Sequence, residues 1–448
     1  MYVFRPFSAR HLACLSCGLL SLGAVPASAV NYGIYDARGL AMGGAAVAAG
    51  NTAQAQFYNP ALLSFHDEDE DDSRDGRIIF PHIVAQFSET VETALEAADD
   101  ELDDQLRTAV NNFNATPNTE NAGAVAGVSR DLTDLLDQLG NQDLNLDAFV
   151  GFSVSEPSKR EGGAFFFGVR ALGAGRADID EADRELLNQY IEAMDAVAAG
   201  GDIGSVNPAL LDENGNLRDP VDELTSSGDV SALTIAEWGV SVAKEFDVDG
   251  HDISFGITPK LQRVDAYRDT VDVSSGITSS DDGERRFSDS QKTHITVNAD
   301  VGIAALIEDH YRLSVAVKDV IAKEFSTTPQ IDPETGEPLP AQIIQLKPRA
   351  RLGFAYVTDV LTIGVDFDLR ESTPLANEAP SKDLSLGIEY IAFKRLALRA
   401  GYREDQTNFR SSVASAGIGY QWGRAVFELG YATSSEYEAG SLQFGWAF

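Results

Sequence analysis

Ser441-Leu442-Gln443-Phe444-Gly445-Trp446-Ala447-Phe448, the last eight residues, put Leu442, Phe444, Trp446 and Phe448 on one side of an extended chain and Ser441, Gln443, Gly445 and Ala447 on the other. Successive side chains of a β-strand point to opposite faces, so this two-residue period reads as a strand between two different surroundings. The bulky face suits an apolar medium. The other face suits a crowded or polar interior.

The same period recurs upstream. Bulky faces are Phe427, Leu429, Tyr431; Ile418, Tyr420, Trp422; Leu384, Leu386, Ile388, Tyr390; Leu361, Ile363, Val365, Phe367; and Ile295, Val297, Val301, Ile303. The alternate faces are small or charged, as in Thr362, Gly364, Asp366 and Asp368, or His294, Thr296, Asn298 and Asp300. A soluble sandwich shares the alternation of any one such strand. Tightly spaced strand pairs over some 200 residues, with Tyr or Trp repeatedly at strand ends, favour a membrane barrel with an aromatic girdle.

The pattern predicts about fourteen strands, near 78–88, 146–154, 163–172, 232–246, 252–264, 293–305, 311–320, 346–357, 360–370, 382–392, 395–403, 411–421, 424–433 and 440–448. The fold class expected is therefore all-β, a transmembrane antiparallel β-barrel, and its even strand number suits a bacterial single-chain barrel. Short turns at Thr358-Asp359, Lys394 and Gly423 should face the periplasm, and the longer connectors 265–292, 321–345 and 371–381 should lie outside. Two inserts, 89–145 and 177–229, carry helical periodicity, as where Leu186, Leu187, Tyr190, Ile191 and Met194 share a face, and are expected to be external caps.

Residues 1–29 read as an export signal: Arg5 and Arg10 precede the apolar run Leu12 to Val25, and Ala27-Ser28-Ala29 is a small-x-small cleavage site. The expected organisation is a signal peptide over 1–29, an N-terminal segment with an acidic loop over 30–76, and the barrel over 77–448. Both cysteines, Cys14 and Cys17, fall within the signal, so cleavage after Ala29 leaves a chain without a thiol. The expected location is the outer membrane of a Gram-negative bacterium.

The chain has 448 residues, 44% of them hydrophobic, and 70 acidic residues against 34 basic give a net charge of −36. That excludes nucleic-acid binding through a basic surface. The six histidines are scattered without zinc spacing, and no nucleophile elbow or Walker loop is present, so no enzyme activity, metal or cofactor is expected. The run Asp67 to Asp75 concentrates seven acids, readable as a solvated loop or as a site for a hard cation, without EF-hand spacing.

The segment 36–63 holds Arg38-Gly39-Leu40-Ala41-Met42-Gly43-Gly44 and, after it, Asn59-Pro60-Ala61-Leu62-Leu63. It resembles the N-terminal segment of the FadL-type outer-membrane transporters and, more nearly, the barrel-like TraF proteins of plasmid transfer operons. The terminal Leu442, Phe444, Trp446 and Phe448 likewise resemble the signal read by the barrel-assembly machinery. These resemblances imply a hatch inside a fourteen-stranded barrel, with Arg38, Met42, Gly43, Gly44, Asn59 and Pro60 as its motif. They also imply passive transport of a small, partly hydrophobic molecule, or alternatively a docking barrel for envelope partner proteins such as a conjugation apparatus. The TraF name also covers a thioredoxin-like periplasmic factor, and a chain without cysteine cannot work through a dithiol. The hatch reads as a movable plug or as a fixed stopper. The expected surroundings are outer-membrane lipid, with a small molecule or envelope proteins as partners.

Arg349, Arg351, Arg395, Arg399 and Arg403, with Asp366 and Asp368, fall on the non-lipid phase and are candidate lumen charges. With the aspartates facing the arginines across the lumen, they read as a constriction selecting anionic groups, or as a cross-strand salt-bridge network that keeps the lumen folded.

Overall fold

The computed structural model describes residues 30–448 apart from 66–75, 101, 141, 159, 203, 205, 250, 273–286, 332–337, 340, 374 and 376–379. The export signal and the acidic run 67–75 lie outside the described residues. Fourteen strands close into one antiparallel barrel. They are β1 (Arg77–Ser88), β2 (Asp143–Pro157), β3 (Glu161–Asp178), β4 (Ser227–Val248), β5 (His251–Asp272), β6 (Lys292–Ile307), β7 (Tyr311–Lys318), β12 (Arg349–Val357), β13 (Leu361–Asp368), β14 (Asp383–Ala392), β15 (Leu396–Asp405), β16 (Val413–Trp422), β17 (Ala425–Thr433) and β18 (Tyr437–Ala447). The first and last strands seal the wall, from Arg77 opposite Ala447 to Ser88 opposite Tyr437, with a register shift between Ile79 and His82.

The outer surface explains why this cylinder belongs in a membrane. Leu429, Leu398 and Leu386 are 51%, 46% and 41% exposed, although each is a large aliphatic side chain. A contiguous apolar band of this kind is too costly to hydrate. Tyr420, Trp422, Phe427, Phe444 and Trp446 ring one end of it, and Tyr402 and Tyr431 point outward at the other. A lysine in place of Leu429, at the middle of β17, is expected to cost about 2–4 kcal/mol of barrel stability in lipid. Urea unfolding in lipid vesicles measures it, and an unchanged midpoint would place that face in water.

Strands β2 to β5 exceed what the membrane needs. β4 and β5 have 22 residues each, whereas a tilted transmembrane strand needs about 9–11. Beyond Leu261 the outward face of β5 turns to Arg263, half exposed, so the surplus rises out of the apolar band. The connector after β7 is not a plain loop. Its strands β8 (Lys323–Ser326) and β11 (Ile343–Leu346) pair, as do β9 (Gln330–Ile331) and β10 (Pro338–Leu339). Phe325, Ile344 and Leu346 pack inward against Leu172, Leu233 and Val264 of the tall strands.

The two inserts build one helical cap at the same end. Helices Glu89–Asp100, Leu102–Ala115, Thr119–Leu139 and Glu181–Ala198 enclose Leu106, Phe113, Val125, Leu136, Leu187, Tyr190 and Met194. Asn118 and Asp180 cap two of these helices by accepting N–H bonds from Asn121 and Ala182, at 2.8 and 2.9 Å. The buried Asp183 carboxylate ties the last helix to the return strand by accepting the amides of Thr225 and Ser226.

Candidate functional site: the hatch and its seat

Residues 30–65 fill the barrel interior and are almost wholly buried. Two short helices form there, α1 (Ala37–Ala41) and α2 (Ala55–Tyr58), followed by a 3-10 turn over Pro60–Ser64. Asp36 starts α1 by accepting the Gly39 amide at 2.5 Å. Pro60 opens the 3-10 turn, where a missing N–H costs nothing, and the Asn59 side chain caps it by accepting from Ala61. Asn59 also donates to the Val47 carbonyl at 2.9 Å, tying the second half of the motif to the segment that follows the first.

Glycine explains how backbone comes so close to the wall. Gly43 and Gly44 have φ of +65° and +90°, the left-handed region that side chains disfavour. A Cβ on Gly43 would stand 2.8 Å from the Tyr402 nitrogen. The wall answers with inward glycines: Gly387 faces Met42, Gly364 faces Ala45 and Ala49, Gly256 faces Pro60 and Ala61, and Gly302 faces Asn59. Inward glycines of β3, β12, β15, β16 and β17 press on the hatch in the same way.

The polar contacts form a connected network. Arg38 clasps Glu389 of β14 with Nε and Nη2, at 3.0 and 2.8 Å, and donates from Nη1 to Gln54 at 2.7 Å. Gln54 donates to Asp36 at 2.6 Å. On the wall side Arg399 bridges Glu389 at 2.5 Å and Glu428 at 2.6 Å. Asp366 accepts the amides of Ala46 and Val47, both at 2.7 Å. Lys318 donates to the Phe57 carbonyl at 2.8 Å, and its Nζ lies 3.9 Å from the centre of the Tyr35 ring.

The sequence-derived charges are therefore inside the barrel with one correction. Arg395 belongs to the exposed turn before β15. Phe393 and Lys394 adopt positive φ there, which ends the strand alternation before it reaches Arg395. The pairing is cross-strand, between neighbours along the wall, and does not span the lumen, which residues 30–65 fill. Arg351 holds Asp368 of the adjacent strand at 2.6 and 2.9 Å and lies 4.4 Å from the centre of the hatch Tyr32 ring. Arg349 pairs with Asp319 and donates to the hatch carbonyl of Asn31. Arg403 meets the Tyr437 hydroxyl at 3.3 Å.

Gln54, Glu389 and Glu428 were not singled out in the sequence, and Asp36 stood out only as the first residue of the 36–63 segment. The two glutamates were visible as acids on the inward phase, between Ile388 and Tyr390 and between Phe427 and Leu429. Nor was Lys260 singled out, buried among Glu237, Asp300 and Asp319 at 3.0, 2.9 and 2.8 Å, which welds β4, β5 and β6 to the connector after β7.

Above the hatch lies a chamber of about 650 Å³ with Gly33 and Gly44 in its floor. Asp147, Arg351 and Arg403 give it charge, and Ile34, Leu172 and Phe409 give it apolar surface.

The chain matches a family model described as "F plasmid transfer operon, TraF, protein" over residues 56–368. No curated protein matches it. Among solved structures it is similar to a "TodX deltaS2S3 mutant monoaromatic hydrocarbon channel", with a TM-score of 0.50, 13% identity and coverage of 92% of this chain and 99% of that one. It is also matched by a Pseudomonas aeruginosa FadL homologue, with a TM-score of 0.47, 11% identity and coverage of 92% and 98%. A third match is the P. putida toluene transporter TodX, at 0.46 and 12% identity, covering 93% and 99%. The TodX-variant likeness shows a shared barrel fold, in agreement with the resemblance read in residues 36–63.

Proposed function

The chain belongs to the family of the F plasmid transfer operon TraF protein, and we propose that it is an outer-membrane conduit through which a small, partly hydrophobic molecule passes under control of the hatch. The observation that carries this reading is a chamber that ends on a hatch held by side chains. Among the described residues no backbone-to-backbone hydrogen bond joins the hatch to the wall. Such a seat is released contact by contact, without breaking the barrel ladder. The mixed lining of the chamber suits a molecule with one polar and one apolar end. Solved barrels of this fold include hydrocarbon channels by their titles, and catalysis has no part in this reading.

On this reading the mature chain begins after Ala29, is inserted by the barrel-assembly machinery through Leu442, Phe444, Trp446 and Phe448, and sits among outer-membrane lipid of a Gram-negative cell. Deletion of 31–63 tests the gate in a liposome-swelling assay with small amphiphilic solutes. The deleted barrel is expected to admit them faster than the full chain. Unchanged uptake by a folded, deleted barrel overturns the gate.

One observation favours a second reading, a docking barrel for an envelope assembly such as a conjugal transfer apparatus. The cap has its own core, and the inserts that build it, 89–145 and 177–229, carry 27 acidic residues against 4 basic ones, which suits a basic partner. A strain lacking the chain would then lose plasmid transfer while keeping solute uptake. Intact mating in that strain removes this reading.

A further inference from the structure

Under the hatch, on the periplasmic half of the wall made by β14 to β18 and β1, a row of polar side chains points inward among Ala397, Ile79 and small residues. Cross-strand register places Glu389 opposite Arg399, Glu428 opposite Gln443 and Gln443 opposite His82. These side chains are deeply buried, with His82 0%, Gln443 3% and Arg399 8% exposed. They are nevertheless not saturated. Arg399 Nη1, Gln443 Oε1, His82 Nδ1, Ser155 Oγ of β2 and Asp36 Oδ2 of the hatch have no hydrogen-bond partner within the protein. His82 uses its other nitrogen on Ser153, at 2.8 Å, and has Gln443 directly opposite it on β18.

An unpaired polar atom buried in a dry interior is destabilising, and folded proteins satisfy such groups with ordered water where the site is polar on several sides. Several of them on one wall, beside a shared run of carboxylates and guanidinium groups, make a place suited to ordered water.

The outer chamber lies against the same wall. Gln86, Arg403 and Tyr437 line it from β1, β15 and β18. On β1 the one inward residue between Gln86 and His82 is Val84, and on β15 the one between Arg403 and Arg399 is Gly401. Gly401 is among the glycines that the Met42–Gly43 end of α1 rests on. The Met42–Gly43 end of α1 on β15, and on β1 Val84 packed among the hatch rings with Phe57 against His82, separate the chamber from the polar row.

We propose that this wall carries the solute path: a water-filled polar seam beneath α1 that continues the chamber and admits small hydrogen-bonding solutes ahead of hydrocarbons. As a path it rests on the conduit reading, and as a hydrated site it stands apart from it. Arg38 and Glu389 form the clasp that closes its outer end.

The mature chain is free of cysteine once the signal is removed, so single cysteines report on the seam. Gln443→Cys and Ser155→Cys, each in the full chain with the hatch in place, are to be treated with a water-soluble, cationic methanethiosulfonate. Ala316→Cys, buried against the hatch on β7, is the dry control. In barrels whose heat-modifiable mobility shows that they are folded, the seam cysteines are expected to react at least tenfold faster than the control. The adduct on Gln443→Cys is expected to slow liposome uptake of arabinose more than that of benzyl alcohol. Equal, slow labelling at all three positions overturns the seam. Fast labelling with unaltered arabinose uptake overturns it as the path and leaves the conduit standing. A wild-type barrel that passes neither solute overturns the conduit, and with it the path.

Discussion

Replacing Arg38 by alanine is expected to loosen the hatch more than any other single truncation. The guanidinium is 3% exposed and joins Glu389 of the wall to Gln54 of the hatch. Removing one member of a buried ion pair leaves the other without its partner and costs about 3 kcal/mol or more, which raises the undocked population roughly a hundredfold. Glu389 keeps Arg399, so the lower end of that range applies. Protease cleavage within 30–65 in folded barrels measures the loss, and bilayer conductance should rise with it. Arg38→Lys keeps the charge without the two-pronged geometry and should fall between. A hatch as protected in Arg38→Ala as in the wild type would make the clasp ornamental.

The second large effect comes from the wall. Gly387→Val should leave β14 able to form, since its φ is ordinary and β-branched residues suit strands. A Cβ at this position stands 2.6 Å from the Met42 carbonyl oxygen and 2.8 Å from the Met42 Cβ. The misfit falls on the hatch, and overpacking of this kind costs about 1–3 kcal/mol. The expected phenotype is a barrel that still shifts on heating but exposes its N-terminal segment to protease. Gly440→Val is the matched control, because a Cβ there meets nothing within 4 Å. Equal protection of the two variants would mean that the hatch adapts to the wall and is not seated by it.

Much of the wall was legible because each membrane strand faces lipid on one side and the lumen on the other, which writes a two-residue period into the chain. All fourteen strands fall where the period put them. Their lengths did not follow from it. Past Leu261 the outward face carries the half-exposed Arg263 in place of an apolar residue, so β5 runs on without the apolar signal that marked its beginning. The β8–β11 hairpin was hidden in a connector for the complementary reason: Phe325 and Ile344 bury against tall strands that the period had shortened.

The hatch was legible as a motif and not as a seat. Gly43 and Gly44 are conspicuous in sequence, whereas Gly256, Gly302 and Gly387 look like ordinary small residues on an inward face until the hatch backbone is set against them. The arginines at 349, 351, 399 and 403 were found through strand parity. Asp368, which Arg351 holds, was found the same way; Glu389 and Glu428, which hold Arg399, were not, because they come from neighbouring strands and parity does not say which strands adjoin.

A closed membrane barrel with its N-terminal segment docked inside underlies the conduit, the hatch and the seam alike. Fractionation of cells expressing the chain, followed by electrophoresis of heated and unheated samples with and without protease, tests it most directly. The expected result is an outer-membrane band that runs faster unheated, keeps residues 30–65 through digestion, and is depleted by Phe448→Ala. A soluble periplasmic band with no heat shift would contradict it, and the conduit, its hatch and its seam would fall together.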